Sequence, residues 1–128
     1  MIKGIGIDIL EKKRISLIHA KYGEKFENRI LGKLEKKEPK FRNELSRTRF
    51  IANNFACKEA FSKAIGLGFS NGITLKEIEV LRDDQGKPFF SLSGKTKVIT
   101  ENLGIKHLHV SISDTSELSS AFVIGEKL

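Results

Sequence analysis

The stretch Ser46–Ile65 reads SRTRFIANNFACKEAFSKAI and runs straight into Gly66-Leu67-Gly68. Strong helix formers dominate it and the glycines supply a stop, so it predicts one long helix. Phe50, Cys57, Phe61 and Ala64 fall on one side by the 3.6-residue period, an apolar stripe for a core. Ala52, Ala56 and Ala60 recur every four residues and form a ridge of small side chains on a second side, fit for close packing. Glu59 and Lys63 lie one turn apart on the flank away from the phenylalanines.

Upstream of this helix, Met1–Leu10 alternates with period two. Ile5, Ile7 and Ile9 point one way and predict a buried apolar strand face, while Gly4, Gly6 and Asp8 point the other. Two glycines on one strand face let another backbone or a ligand come close. Glu11 to about Glu44 is lysine-rich with helical spacing and breaks at Gly23, Gly32 and Pro39, which predicts short helices. Downstream, Glu77–Arg82 and Pro88–Leu92 read as two strands around the turn Asp83-Asp84-Gln85-Gly86. Lys95–Leu103 reads as a short helix ended by Gly104. His107, His109, Ser111 and Ser113 alternate with Leu108, Val110 and Ile112 as a half-buried strand, and Ser119–Gly125 closes the sheet. The fold class is α+β: a single domain over residues 1–128, with a mainly antiparallel sheet packed on one long helix plus shorter helices.

Composition narrows the class. A chain of 128 residues buries roughly two-thirds of its unfolded surface and needs no disulfide or structural metal. Its one cysteine, Cys57, sits on the apolar stripe and reads as a small core residue. No apolar run approaches the ~20 residues that cross a bilayer, and Met1–Ile5 does not open a signal peptide. A cytoplasmic protein without a membrane partner is expected. The net charge of +7 is concentrated between Lys12 and Arg49, where thirteen basic residues face five acidic ones. That segment suits an anionic partner. Nucleic acid is the poorer choice, because the aromatics there (Tyr22, Phe26, Phe41) form no stacking pattern.

Asp8 and Glu59 come from separate elements and stand out chemically. If they converge, two carboxylates suit a magnesium ion that completes its octahedron with waters and phosphate oxygens. Lys63, one turn after Glu59, then neutralises a phosphoryl group. The same residues also read as a helical Glu59–Lys63 ion pair with Asp8 as a strand-end cap. Gly86-Lys87-Pro88 suits a phosphate or nucleotide site, or an ordinary turn with a solubilising lysine. His109 and Ser111 offer a hydrogen-bonding wall or a plain polar strand face. Gly4-x-Gly6 lacks the third glycine of a dinucleotide fingerprint, and no G-x-S-x-G elbow occurs.

Gly4-Ile5-Gly6-Ile7-Asp8 with Arg14-Ile15, Phe55–Ala64 with Gly66-Leu67-Gly68, Gly86-Lys87-Pro88 and His109–Ser113 occur in this order. Together they resemble the holo-[acyl-carrier-protein] synthases, the small bacterial type of 4'-phosphopantetheinyl transferase, from Met1 to about Gly125. The resemblance implies transfer of the 4'-phosphopantetheine arm of coenzyme A to a serine of apo acyl carrier protein in fatty acid biosynthesis. It implies Mg²⁺ on Asp8 and Glu59, with Asp8, Glu59 and Lys63 catalytic. The serine needs a proton acceptor, for which Glu59, directly or through a metal-bound water, is the first choice and a lone water the alternative. Coenzyme A binding falls to Lys58, Lys63, Gly66, Gly86, Lys87, Pro88, His109 and Ser111. The acidic carrier docks on Arg14, Lys21 and Lys25, and the chain forms a homotrimer with sites between subunits. Three positions depart from the pattern, the first being Cys57 for a usual alanine, a conservative change in volume. Asn54 replaces a common arginine and so removes a phosphate contact, with Arg47 and Arg49 as substitutes. Asp114 replaces a frequent histidine and takes no role.

Overall fold

A computed structural model describes residues 1–38 and 41–127. The helix break expected at Pro39 lies outside them. In chain order the elements are β1 (Ile2–Glu11), α1 (Lys12–Tyr22), α2 (Glu24–Ile30), α3 (Lys33–Lys37), α4 (Glu44–Ile65), β2 (Ile78–Arg82), β3 (Pro88–Leu92), α5 (Gly94–Asn102), β4 (His107–Asp114) and β5 (Leu118–Glu126). All strand pairings are antiparallel: β1-β5-β4 form one sheet and β2-β3 a separate hairpin.

Helix α4 is the spine. Asn43 Oδ1 caps it by accepting from Ser46 N at 2.9 Å, so the helix begins slightly earlier than its apolar pattern indicates. Gly66 ends it at φ +78, with its N–H on the carbonyls of Ser62 and Lys63. Cys57, Phe61 and the alanine ridge are all buried: Ala56, Cys57 and Ala60 in one core cluster, Ala52 in a second and Phe61 in a third.

The packing of β1 on α4 reverses one expectation. Ile5, Ile7 and Ile9 are not buried: they stay 59%, 60% and 63% exposed on the outer face of the sheet. The glycine face is the one that meets the helix. A Cβ on Gly4 or on Gly6 would lie 1.9 Å from the carbonyl oxygen of Ala64 or Ala60 respectively. Only hydrogen on both strand positions, against alanine on the helix, allows so close an approach. Residues paired across the sheet share a face, so Ile5–Ile124–His109 and Ile7–Phe122–Ser111 form two rows on the outer side. Gly6–Val123–Val110 and Asp8–Ala121–Ile112 form rows on the inner side, towards α4.

Candidate active site

Because Gly4 and Gly6 bring β1 down onto α4, the next inward residue, Asp8, reaches the flank of the helix that carries Glu59 and Lys63. Lys63 Nζ donates to Ile7 O at 3.0 Å and to Asp8 Oδ1 at 3.3 Å. Burial first, and then the neighbouring Asp8 carboxylate, push the Glu59 carboxyl above its ordinary 4.5, while Lys63 pulls it back. Two carboxylates thus share one space with a half-exposed ammonium beside them. Among the described residues the Glu59 carboxylate makes no ion pair.

This donor set discriminates between metals. No group of three or more His, Cys, Asp or Glu side chains converges among the described residues, which argues against a protein-caged zinc or calcium. Two partly exposed carboxylates fit Mg²⁺, which keeps several waters and binds through one or two carboxylates plus substrate phosphates.

The other expected site residues are not gathered with these three. Lys58 is corrected: it has no exposure at all and points into the core. Its ammonium donates to Glu35 Oε1 at 2.7 Å, to Leu75 O at 2.9 Å and to Ile30 O, so no donor is left for coenzyme A. Helical rotation explains this: Lys58 and Glu59 are adjacent in sequence and therefore project about 100° apart. Gly66 sits at the C-terminal end of α4, and Gly86 (φ +85), Lys87 and Pro88 form the exposed tip of the β2–β3 hairpin. His109 and Ser111 lie on the outer sheet face, with His109 Nε2 2.5 Å from Glu126 Oε1. Arg14, Lys21 and Lys25 are exposed on α1 and α2.

Three polar clusters escaped the sequence reading. Asp114 takes Lys12 Nζ at 2.7 Å and a fork from Arg49 (Nε 2.7 Å, Nη2 3.2 Å), and these cations hold its carboxyl far below the usual range. Glu27 takes His19 Nε2 at 2.5 Å and Arg47 Nη1 at 3.1 Å. Glu35 joins Lys58 to Asn54. Each links residues from different elements, so no local spacing marks them.

Residues 4–123 match the model of the 4'-phosphopantetheinyl transferase superfamily. The chain belongs to this family. Among its relatives, the holo-[acyl-carrier-protein] synthase of Blochmanniella pennsylvanica is 41% identical over 99% of this chain and 100% of that protein. The holo-[acyl-carrier-protein] synthase structure from Neisseria meningitidis superposes with a TM-score of 0.90 at 37% identity, covering 99% of this chain and 100% of that one. A synthase from Bacillus anthracis, solved in complex with CoA (3',5'-ADP), superposes at 0.78 with 37% identity, covering 100% and 99%. In this phosphopantetheinyl transferase the glycine-faced strand and the long helix are the two elements that bring the acidic residues together.

Proposed function

We propose that this chain transfers 4'-phosphopantetheine from coenzyme A to a serine of apo acyl carrier protein, releasing adenosine 3',5'-bisphosphate. The observation that carries this reading is the meeting of Asp8, Glu59 and Lys63 where β1 crosses α4, in a member of this family. The serine oxygen bonds to the β-phosphorus as the bond from that phosphorus to the departing adenosine bisphosphate breaks, and the serine proton passes to a base. Asp8 and Glu59 are the residues that would hold Mg²⁺, and the ion would supply charge neutralisation on the diphosphate. Glu59, directly or through a water, is the first candidate to take the serine proton, with a lone water as the alternative. Lys63 is aimed by Ile7 O and Asp8, and stabilises charge building on the phosphoryl oxygens. Positioning and electrostatics supply most of the rate in such transfers.

The outer sheet face supports an assembly of several copies. Ile5, Ile7, Ile9 and Phe122 leave an apolar stripe uncovered on a single chain. His109 and Ser111 lie in the same cross-strand rows. A second copy laid on this face would bury the stripe, and His109, Ser111 and the hairpin tip of one copy would then be available to complete the site of a neighbour. A homotrimer with its sites between subunits meets that requirement. Arg14, Lys21 and Lys25 give the acidic carrier a docking surface of opposite sign. The reaction belongs to fatty acid biosynthesis in the cytoplasm.

Intact-mass spectrometry of apo carrier incubated with this protein, coenzyme A and Mg²⁺ tests the reading. A gain of one phosphopantetheine per carrier is expected, and an unchanged carrier would contradict it.

A further inference from the structure

The arginine expected at position 54 is Asn54, fully buried, and its side chain is spent on structure. Its Nδ2 donates to Glu35 Oε2 at 2.8 Å and to Val80 O at 3.2 Å. Its Oδ1 accepts from Arg82 Nη2 at 2.8 Å. Arg82 also donates from Nη1 to Val80 O at 3.3 Å, and its guanidinium carbon stands 5.9 Å from the centroid of the Phe50 ring. The two substitutes expected from the sequence are committed elsewhere: Arg49 forks Asp114, while Arg47 bonds Glu27 and lies over the Phe41 ring at 5.0 Å.

Arg82 is placed differently. It pairs directly with Pro88 across the β2–β3 hairpin, so its side chain starts at the end of the hairpin that carries Gly86 and Lys87. No carboxylate pairs with its guanidinium among the described residues. The carboxylate of Glu38 takes the Arg82 backbone N–H instead, at 3.2 Å. A guanidinium has five N–H donors. Asn54 and Val80 hold one from each terminal nitrogen, which fixes the plane and leaves the remaining donors for an anion.

We infer that Arg82 is a phosphate-binding residue for coenzyme A and that Asn54 is the residue that positions it. The inference rests on the transferase reading above and adds a residue to it. The guanidinium expected from helix α4 is delivered to Asn54 from strand β2, with its plane preset for a bidentate grip on phosphate oxygens.

Steady-state kinetics on the full-length protein, with calorimetric titration of adenosine 3',5'-bisphosphate, tests it. Arg82→Ala is expected to raise the KM for coenzyme A roughly tenfold or more and to weaken the bisphosphate comparably. The carrier KM and kcat should stay within about twofold, and Arg82→Lys should recover only part of the loss. If Arg82→Ala does not fold, Arg82→Gln carries the same expectation. With 3'-dephospho-coenzyme A as substrate, a penalty that disappears in the variant assigns the contact to the 3'-phosphate; an equal penalty assigns it to the diphosphate. The exchange Asn54→Arg with Arg82→Asn should restore coenzyme A binding, which a merely structural role for this pair would not do. Unchanged coenzyme A KM and bisphosphate affinity in Arg82→Ala would overturn the inference while leaving the transferase reading intact. A wild-type protein that binds the bisphosphate through Arg82 but loads no carrier would overturn the transferase reading instead.

Discussion

Lys58 and Glu59 are neighbours on one helix, and each belongs to a cluster of carboxylate and lysine, yet the two clusters are built for opposite ends. The Lys58–Glu35 pair is sealed, with both side chains at zero exposure and every ammonium donor satisfied. It ties α3, the end of α2 and the segment at Leu75 to the spine. Burial pushes the Glu35 carboxyl up and the Lys58 ammonium down, each opposed by the other's charge. The Asp8–Glu59–Lys63 group is less sealed: Lys63 is half exposed, its contact to Asp8 is longer, and among the described residues Glu59 has no charged partner in hydrogen-bond contact. Saturated donors make a strut, and unsaturated ones make a site. Residue type alone does not separate the two; the supply of partners does.

Substitutions in both clusters and at their strand–helix contact sharpen or break that contrast. Asp8→Ala or Glu59→Ala should lower kcat by about three orders of magnitude or more, the scale for removing a principal electrostatic contributor. The melting temperature should stay near wild type because neither side chain holds the core; near-normal turnover in both variants would dissolve the distinction. Lys58→Ala should behave in the opposite way, costing about 3–5 kcal/mol in denaturant unfolding by stranding Glu35 in the core. Gly6→Ala should cost about 1–3 kcal/mol as β1 lifts from Ala60. It should also reduce turnover, because Asp8 moves with the strand. The smallest effect concerns pH. The Glu59 carboxyl is raised in the folded protein, so its contribution favours folding below pH 4.5 and is lost as pH rises through the folded value. Glu59→Gln should therefore stabilise the protein at neutral pH, by less than about 1 kcal/mol, and lose that advantage in acid. Carboxyl NMR titration should show the Glu59 value fall in Asp8→Asn and rise in Lys63→Met.

Local order was readable where it is written locally. Gly66 and Gly104 mark the ends of α4 and α5, and Asp83–Gly86 marks the hairpin turn. The period of β1 was also plain, but a period gives two faces without saying which one is inside. The isoleucines are the more apolar face, yet the backbone contact at Gly4 and Gly6 outweighs side-chain burial within one chain, because α4 presents alanine there. The convergence of Asp8, Glu59 and Lys63 was legible because a bare strand face and a helical flank each carry a carboxylate. Lys58 was misassigned because its partner Glu35 lies 23 residues upstream on a helix of its own. Nothing in the motif around Lys58 encodes that distance. The Asn54–Arg82 bond spans 28 residues and was invisible for the same reason.

Diffraction from crystals soaked in Mn²⁺ and coenzyme A, collected near the manganese absorption edge, asks the central question most directly. One anomalous peak coordinated by carboxylate oxygens of both Asp8 and Glu59, against the diphosphate and absent in Glu59→Ala, is the expected result. A bound diphosphate whose metal is held by neither residue would contradict the account.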